Sequence, residues 1–348
     1  MNPNKPSYLY GKKVLLLAPP FYSLHTQIIN ELNYLGAKTG FIPDVPQKYN
    51  PYFGSLSKSI IKNAIRHLVS FIKRPNYHYL SKYKHEIQKS WDYLICIDGY
   101  SFDKSIIDLL IKKNSKITKI LYLWDSVNFY NFTPLFKYFD KVYTFDKSDS
   151  IRYKITYLPL FWNKIERGQK NKIIYDISFI GSDHTDRIEV LSRIDSFCKI
   201  NQLNTFFKIV LDKSKYQEDN HNLNQRNNSE RNNNINNSEF LTFKKYSENE
   251  VQRIIDESNC ILDIVKPNQA GLSNRTIQAL ASSKKIITTN PSFLGTSLDN
   301  GNIVYINRND PKLDLNFIKQ PYISNNKIQQ TLEELRIDNW LLTICSTK

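Results

Sequence analysis

The amino-acid sequence predicts an α/β protein with two parallel-sheet domains. Short, continuously apolar segments alternate with longer segments of helical periodicity along most of the chain, which is typical of strands covered on both faces by helices. This alternation begins afresh at Tyr175. The 348 residues, 41% of them hydrophobic, exceed what one ordinary core needs. We therefore expect a first domain over residues 1–165 and a second over residues 166–348.

The first domain opens with a strand, a helix and a second strand. Residues 12–18 form an apolar strand, a helix over residues 22–35 ends at Gly36, and residues 39–42 predict the next strand. The turn after the first strand reads Pro19-Pro20-Phe21-Tyr22 and is not a Gly-rich phosphate loop. The fingerprint of dinucleotide binding is therefore absent, which argues against hydride transfer.

Three further strands of this domain each end in a carboxylate. We predict them at residues 91–98, 117–125 and 141–146, with a helix at 105–113. Their alternation with helices predicts a Rossmann-like sheet. Because ligands bind at the C-terminal ends of parallel strands, these acids are candidate site residues or, alternatively, helix and turn caps. They are Asp98, Asp125 and Asp146.

Positive charge is concentrated at the start of the chain. The net charge is +15, and the first 90 residues hold 13 Lys/Arg against 3 Asp/Glu, a net of +10. Residues 55–74 predict a basic amphipathic helix, which packs on the sheet with a solvated face or approaches an anionic surface. Nucleic acid, an anionic membrane and a phosphate-bearing substrate all fit this charge. No nucleic-acid-binding motif is visible, so we expect no nucleic-acid partner.

Cysteine spacing and hydropathy indicate the compartment. The four cysteines are widely separated, which predicts reduced core residues and neither a disulfide framework nor a zinc site. No apolar run is long enough to span a bilayer, and the N-terminus lacks the apolar segment of a secretory signal. We expect a cytoplasmic protein that can also work at the inner face of the cytoplasmic membrane.

The second domain repeats the alternation of strands and helices. We predict strands at 175–181, 207–211, 240–243 and 302–306, and helices at 185–200 and 247–258. The second of these helices opens with a capping box, Ser247 and Glu250. Residues 213–239 are Asn-rich and predict a disordered insertion. Two apolar-periodic segments near the C-terminus, 327–336 and 340–344, can pack back onto the first domain.

The stretch from residue 260 to residue 290 is the most informative part of the chain. Strands at 260–265 and 285–289 enclose a polar loop and a helix over 274–282, with Ser273 as the N-cap. A helix N-terminus at the C-terminal edge of a sheet suits a phosphate. Arg275 in the first turn can add a bidentate contact to a diphosphate. The alternative is a plain strand-loop-helix unit with a solvated Arg275.

Two segments carry a resemblance to a known family. YDISFIGSDHTDR (175–187), followed by QAGLSNRTIQALASSKKIITTN (269–290), resembles bacterial glycosyltransferases of capsule and lipopolysaccharide assembly, including the spore-maturation-protein-like group. The resemblance implies the GT-B fold, in which two Rossmann-like domains face a cleft. It also implies a nucleotide-sugar donor, a saccharide or lipid-linked acceptor, and no cofactor.

The resemblance further implies which residues bind the donor. Gly181 and Ser182 would approach the phosphates, while Lys266, Ser273 and Arg275 would neutralise the diphosphate. Gln278 stands near the position where many retaining members place a Glu on the nucleotide ribose, although the Gly-Leu pair is one residue further from it here. The complete predicted donor site is Gly181, Ser182, Lys266, Gln269, Gly271, Leu272, Ser273, Arg275 and Gln278.

The chemistry is expected to need no metal. No Asp-x-Asp occurs in the chain, and GT-B enzymes are similar in stabilising the leaving diphosphate with protein cations and helix N–H groups. An inverting reaction needs a base for the acceptor hydroxyl, for which Asp125 is the first candidate and Asp98 the second. The aromatic residues around Asp125 could stack on a sugar or fill the core. They are Trp124, Phe129, Tyr130 and Phe132.

Two other functions fit the same sequence. A sugar-nucleotide epimerase on the same fold would need no acceptor. A non-catalytic basic binding protein would use the positively charged first 90 residues. Product analysis without acceptor separates the first alternative, and a steep salt dependence of DNA binding would favour the second.

Overall fold

The computed structural model describes residues 8–20, 23–44, 76–100, 104–163, 172–183, 186–211, 239–267 and 269–346. The helix predicted at 55–74 and the Asn-rich insertion up to residue 238 lie outside these ranges. The chain divides into two compact units. One comprises Met1–Pro159 with Ile337–Lys348, and the other comprises Leu160–Arg336.

The first unit is built on a six-stranded parallel sheet of order β2-β1-β3-β4-β5-β6. Continuous apolar stretches form its central strands, and every residue of β3 is buried. This confirms the predicted Rossmann-like sheet. The chain order reverses between β1 and β3, which makes their C-terminal ends the switch point of this sheet. The strands are β1 Lys13–Ala18, β2 Lys38–Pro43, β3 Tyr93–Ile97, β4 Thr118–Leu123, β5 Lys141–Thr144 and β6 Thr156–Tyr157.

Helices cover this sheet, and the last helix of the chain is one of them. The helices between strands are α1 Leu24–Tyr34, α2 Asn76–Ile87, α3 Lys104–Lys113 and α4 Lys147–Tyr153. The C-terminal helix, α10 (Ile337–Cys345), packs against α1. Its Trp340 is fully buried, donates its indole N–H to the carbonyl of Pro159 at 3.1 Å, and lies edge-on to Tyr122. The C-terminus therefore completes the core of the first unit.

The second unit contains another six-stranded parallel sheet, of order β12-β11-β10-β7-β8-β9. Counted from its own first strand, this is the 3-2-1-4-5-6 order of a doubly wound sheet, with the switch point between β7 and β10. The strands are β7 Tyr175–Ser182, β8 Thr205–Val210, β9 Leu241–Thr242, β10 Ser258–Asp263, β11 Lys285–Thr288 and β12 Ile303–Tyr305. The helices are α5 Arg187–Ile200, α6 Glu248–Asp256, α7 Asn274–Ala281, α8 Leu315–Lys319 and α9 Asn326–Glu334.

Several short-range predictions are confirmed in detail. Ser247 and Glu250 form the reciprocal capping box at the start of α6, and the Ser273 hydroxyl accepts the N–H of Thr276 at the start of α7. All four cysteines are buried, as predicted for core residues.

A buried lysine begins β11. The Lys285 side chain is fully buried, and its ammonium donates to the carbonyls of Phe317 at 2.6 Å, Ile318 at 2.7 Å and Gln320. These carbonyl groups lie at the C-terminal end of α8, where helix carbonyls have no donor within the helix. Burial lowers the pKa of Lys285.

Candidate functional site

The predicted donor-binding residues gather at the C-terminal edge of the second sheet. β7 ends at Ser182 and its neighbour β10 ends at Asp263. The loop that follows β10 leads into α7, whose N-terminus therefore lies at the switch point. In doubly wound folds this is the place where ligands bind, and the helix dipole favours an anion there.

A buried carboxylate ties α7 to the end of β10. The Asp263 side chain, 4% exposed, accepts hydrogen bonds from the hydroxyls of Ser273 at 3.1 Å and Thr276 at 2.6 Å. Ser273 in turn caps the N–H of Thr276 at 3.2 Å. The only sign of this contact in the sequence is an acid that interrupts an otherwise apolar strand. The Asp263 carboxylate thus fixes the orientation of the Ser273 side chain, which caps α7.

Arg187 links the ends of the two switch-point strands. Its guanidinium, in a residue 7% exposed, donates to the carbonyl of Ile264 after β10 and to the carbonyl of Ser182 in β7. It also lies over the ring of Phe179, 5.4 Å from the centroid. A Cβ atom at Gly181 would stand 2.7 Å from that ring and 2.9 Å from the guanidinium. Gly181 is therefore required by the packing of Arg187, which the sequence did not single out.

A second arginine reaches the same edge from beyond β12. Arg308 forms a bidentate ion pair with Asp186, with N–O distances of 2.8 and 2.7 Å, and donates to the carbonyl of Val265 at 3.1 Å. Because bidentate pairs fix the geometry of both partners, the start of α5 is anchored to the loop after β10. Sequence reasoning missed Arg308 because its partners are more than 40 positions away.

The remaining residues between β10 and the first turn of α7 include two cations and one buried apolar side chain. Lys266 is exposed and Arg275 is half-buried, whereas the Leu272 side chain is only 4% exposed and belongs to the core. The carbonyl of Gly271 accepts the side-chain amides of Asn290 at 2.8 Å and Gln269 at 3.2 Å. The loop is thus held by the side-chain amides of Gln269, within it, and of Asn290, after β11, and Lys266 and Arg275 are its cations.

Gln278 occupies a different environment. Its amide oxygen accepts the N–H of Asn163 at 2.9 Å, and its amide nitrogen donates to the Asn163 carbonyl at 3.1 Å and to Gln252 at 3.0 Å. A contact between Gln278 and a nucleotide ribose stays a prediction, and it would require the exchange of some of these hydrogen bonds.

The two candidate bases lie together at the C-terminal edge of the first sheet. Asp98 follows β3 directly and is fully buried, whereas Asp125, two residues after β4, is partly exposed. One oxygen of Asp98 accepts the main-chain N–H groups of Trp124 at 2.9 Å and Asp125 at 3.2 Å. The hydroxyl of Tyr100 donates to Asp125. Burial, together with the nearby carboxylates of Asp125 and Asp44, raises the pKa of Asp98 well above its usual range.

Two more acids at this edge have structural partners. Asp44, fully buried after β2, accepts the N–H of Tyr100 at 2.6 Å. Asp146 caps α4 by accepting the N–H groups of Ser148 and Asp149. The capping role that was the alternative for Asp146 is confirmed.

The aromatic residues near Asp125 serve the core to different degrees. Phe132 is fully buried in the hydrophobic core of the first unit. Tyr130 packs on it with ring centroids 4.7 Å apart, and both rings contact Tyr100. Phe129 is 45% exposed. Core packing thus accounts for Phe132 and Tyr130 and leaves Phe129 as a surface group.

The described residues contain neither a metal-binding cluster nor a membrane-spanning helix. No cluster of three or more His, Cys, Asp or Glu side chains could hold a metal ion within the ranges that the structure covers. Among the helices of those same ranges, none is both long and apolar enough to cross a membrane.

Comparison with known proteins gives distant structural similarity alone. No protein-family model matches the chain, and no curated protein matches it.

A lipopolysaccharide outer core galactosyltransferase, WaaB, in its apo form is similar over 95% of this chain and 99% of that one, with 13% identity and a TM-score of 0.45. A putative UDP-N-acetylglucosamine 2-epimerase from Listeria monocytogenes is similar over 96% and 94%, with 7% identity and a TM-score of 0.49. The Glycyrrhiza uralensis protein UGT73P12, complexed with glycyrrhetinic acid 3-O-monoglucuronide, is similar over 97% and 93%, with 7% identity and a TM-score of 0.43. Similarity at this level assigns no function to the chain.

Proposed function

We propose that the protein is a glycosyltransferase of the GT-B type that moves a sugar from a nucleotide-sugar donor to a saccharide or lipid-linked acceptor. In this proposal residues 166–348 form the donor domain, except that the C-terminal helix α10 packs on the first unit, and residues 1–165 form the acceptor domain. The observation that carries it is the second switch point, where the Asp263-anchored start of α7 adjoins the ends of β7 and β10.

The donor site is proposed on electrostatic grounds. A leaving nucleoside diphosphate gains negative charge as the glycosidic bond breaks, so the group that stabilises it must be positive and already in place. The first turn of α7 supplies the positive end of a helix dipole, and Lys266 and Arg275 supply cations. Arg187 and Arg308 hold the surrounding carbonyls in position, so that little reorganisation is needed when the diphosphate binds.

The acceptor site is proposed around Asp125. In the transfer step the acceptor hydroxyl oxygen forms a bond to the anomeric carbon, and the bond from that carbon to the diphosphate oxygen breaks. The electron pair leaves with the diphosphate, and the hydroxyl proton passes to the Asp125 carboxylate. Asp125 suits this role better than Asp98 because Asp98 is fully buried. Transfer without a metal ion is part of the same proposal, and activity in the presence of a chelator tests it.

The acceptor class and the cellular location are proposed from the sequence. The resemblance to capsule and lipopolysaccharide enzymes supports a growing cell-surface polysaccharide as acceptor. The net charge of +10 over the first 90 residues supports binding to the anionic inner face of the cytoplasmic membrane. Co-sedimentation with vesicles containing anionic lipid should decrease as salt is raised, because salt screens such an attraction.

A product assay tests the proposed reaction. The protein is incubated with UDP-, GDP-, CMP- and dTDP-activated sugars, with and without saccharide or lipid-linked acceptors, and both nucleotide release and sugar products are measured. Acceptor-dependent nucleotide release supports glycosyl transfer. An isomerised sugar without acceptor would instead identify an epimerase, and no turnover with any donor would contradict the proposal.

The assignment of the base has its own test. Asp125→Asn should abolish most transfer while nucleotide binding is retained. If most activity survives with the fold intact, Asp125 is not the base. His25, in the first turn of α1 after β1, is then the next residue to test, since its Nδ1 is buried without a hydrogen-bond partner.

A further inference from the structure

We propose that Asp98 and Tyr100 are positioning residues for Asp125, Asp98 by fixing its main chain and Tyr100 by fixing its carboxylate. This role rests on the proposed function, in which Asp125 takes the acceptor proton. It assigns to Asp98 a task other than proton transfer, and it gives Tyr100 a role that the sequence did not indicate.

Asp98 fixes the main chain from a tight turn. It adopts a left-handed conformation with φ of 59°, and Gly99 follows with φ of 83°. Asp adopts this conformation more readily than most residues that carry a side chain. The tight turn is closed by the N–H of Gly99, which donates to the carbonyl of Ile97 at 2.7 Å. From this turn, Asp98 accepts the N–H groups of both Trp124 and Asp125.

Tyr100 fixes the carboxylate because it is itself held at both ends. Its main-chain N–H donates to the buried Asp44 at 2.6 Å. Its ring packs against Tyr130 and Phe132, with centroid distances of 5.2 and 5.4 Å. The hydroxyl at the far end donates to Asp125. One residue therefore connects the end of β2, through its main chain, to the carboxylate that follows β4, through its side chain.

The local charges separate the roles of the two acids. Asp98 is fully buried, and an ionised carboxylate in the protein interior is costly, so this position favours the neutral carboxyl. Burial and the carboxylates of Asp125 and Asp44 raise the pKa of Asp98. We therefore assign the proton of the acceptor hydroxyl to the more accessible Asp125. The titratable groups that face Asp98 among the described residues are Asp44, Cys96, Tyr100, Tyr122 and Asp125.

Tyr100→Phe tests the positioning of the carboxylate. Loss of a hydrogen bond to a charged group should lower kcat by about tenfold to a hundredfold while the KM for the donor changes little. Tyr153→Phe is the matched control: it removes a hydroxyl from an aromatic residue of the same unit that packs on Phe136. A Tyr100→Phe enzyme with unchanged kcat would overturn the role of Tyr100.

Asp98 variants test the main-chain contact. Asp98→Asn keeps a carbonyl oxygen for the N–H groups of Trp124 and Asp125, whereas Asp98→Ala does not. The Asn variant should therefore retain clearly more transfer activity than the Ala variant. Equal activity of the two variants would contradict the positioning role.

A titration that needs no activity separates this proposal from the proposed function. In protein labelled with carbon-13 at aspartate carboxyls, Asp98 is followed by NMR as pH is varied. Asp125→Asn should lower the pKa of Asp98, since it removes the carboxylate that is, after burial, the largest cause of its rise. An unchanged titration would overturn the proposed coupling whatever the activity. A lowered midpoint together with no transfer by the wild type would instead contradict glycosyl transfer and leave the arrangement intact.

Discussion

At the scale of single residues, one buried carboxylate organises the candidate site of each unit. Asp263 holds the two hydroxyls at the start of α7, and Asp98 holds two main-chain N–H groups after β4. Buried carboxylates are tolerated only when they are hydrogen-bonded or neutral. Asp263 meets this condition by accepting hydrogen bonds. One oxygen of Asp98 also accepts hydrogen bonds, and the raised pKa of Asp98 favours its neutral form.

The protonation of Asp98 predicts how stability depends on pH. Its folded-state pKa lies above the ordinary value of 3.8, so between the two values the native state holds a proton that the unfolded chain has released. The contribution of Asp98 to stability is therefore fully present below about pH 3.8 and is lost as pH rises through the folded pKa. Asp98→Asn, which cannot titrate, should gain about 1.4 kcal/mol over the wild type for each pH unit of this interval.

Urea unfolding at a series of pH values measures this difference. Asp299→Asn, a change at an exposed carboxyl in the second unit, serves as the control. A free-energy difference between Asp98→Asn and the wild type that is constant with pH would contradict a raised pKa in the folded state.

At the scale of elements, α7 is the helix on which the donor site depends. Its N-cap, Ser273, and the N-cap of α6, Ser247, form comparable side-chain caps. Replacement of either by Ala should destabilise the protein by about 1 kcal/mol. Only Ser273→Ala should also weaken nucleotide binding, because α7 starts at the switch point.

Calorimetric titration of both variants with the nucleotide that binds the wild type measures the effect. Equal affinities of Ser273→Ala and Ser247→Ala would show that the start of α7 is not part of the site.

Regular elements were predictable to the extent that their signals are local. The capping box of α6, the cap of α7 and the buried strands follow from short patterns, and the structure confirms them. The sequence did not predict helix α4 or strand β6. These elements have seven and two residues, which is too short for a hydrophobic repeat to be recognised. The contacts of Arg187, Arg308 and Asp44 join positions far apart in the chain. No local pattern encodes such contacts.

At the scale of the whole molecule, the end of the chain belongs to the unit that contains its beginning. α10 supplies Trp340 to the first core, although it follows the second unit in sequence. Trp340→Ala should destabilise the first unit by about 3–5 kcal/mol, because it removes a large, fully buried side chain. It should leave nucleotide binding by the second unit intact.

Scanning calorimetry with and without nucleotide can distinguish a loss of stability in the first unit from a loss of nucleotide binding by the second, since a chain of two units need not unfold in one transition. A Trp340→Ala variant with wild-type stability, or one that has lost nucleotide binding while folded, would contradict this division.

A thermal-shift panel of UDP, GDP, CMP and dTDP tests most directly whether a nucleotide binds at the start of α7. A nucleotide that binds the native state at about 100 times its Kd should stabilise it by about 2.7 kcal/mol. We expect one nucleotide to raise Tm, Arg275→Ala to lose that rise, and Arg253→Ala, a change on the exposed face of α6, to keep it. No rise with any nucleotide, or a rise that survives in Arg275→Ala, would contradict binding at this position.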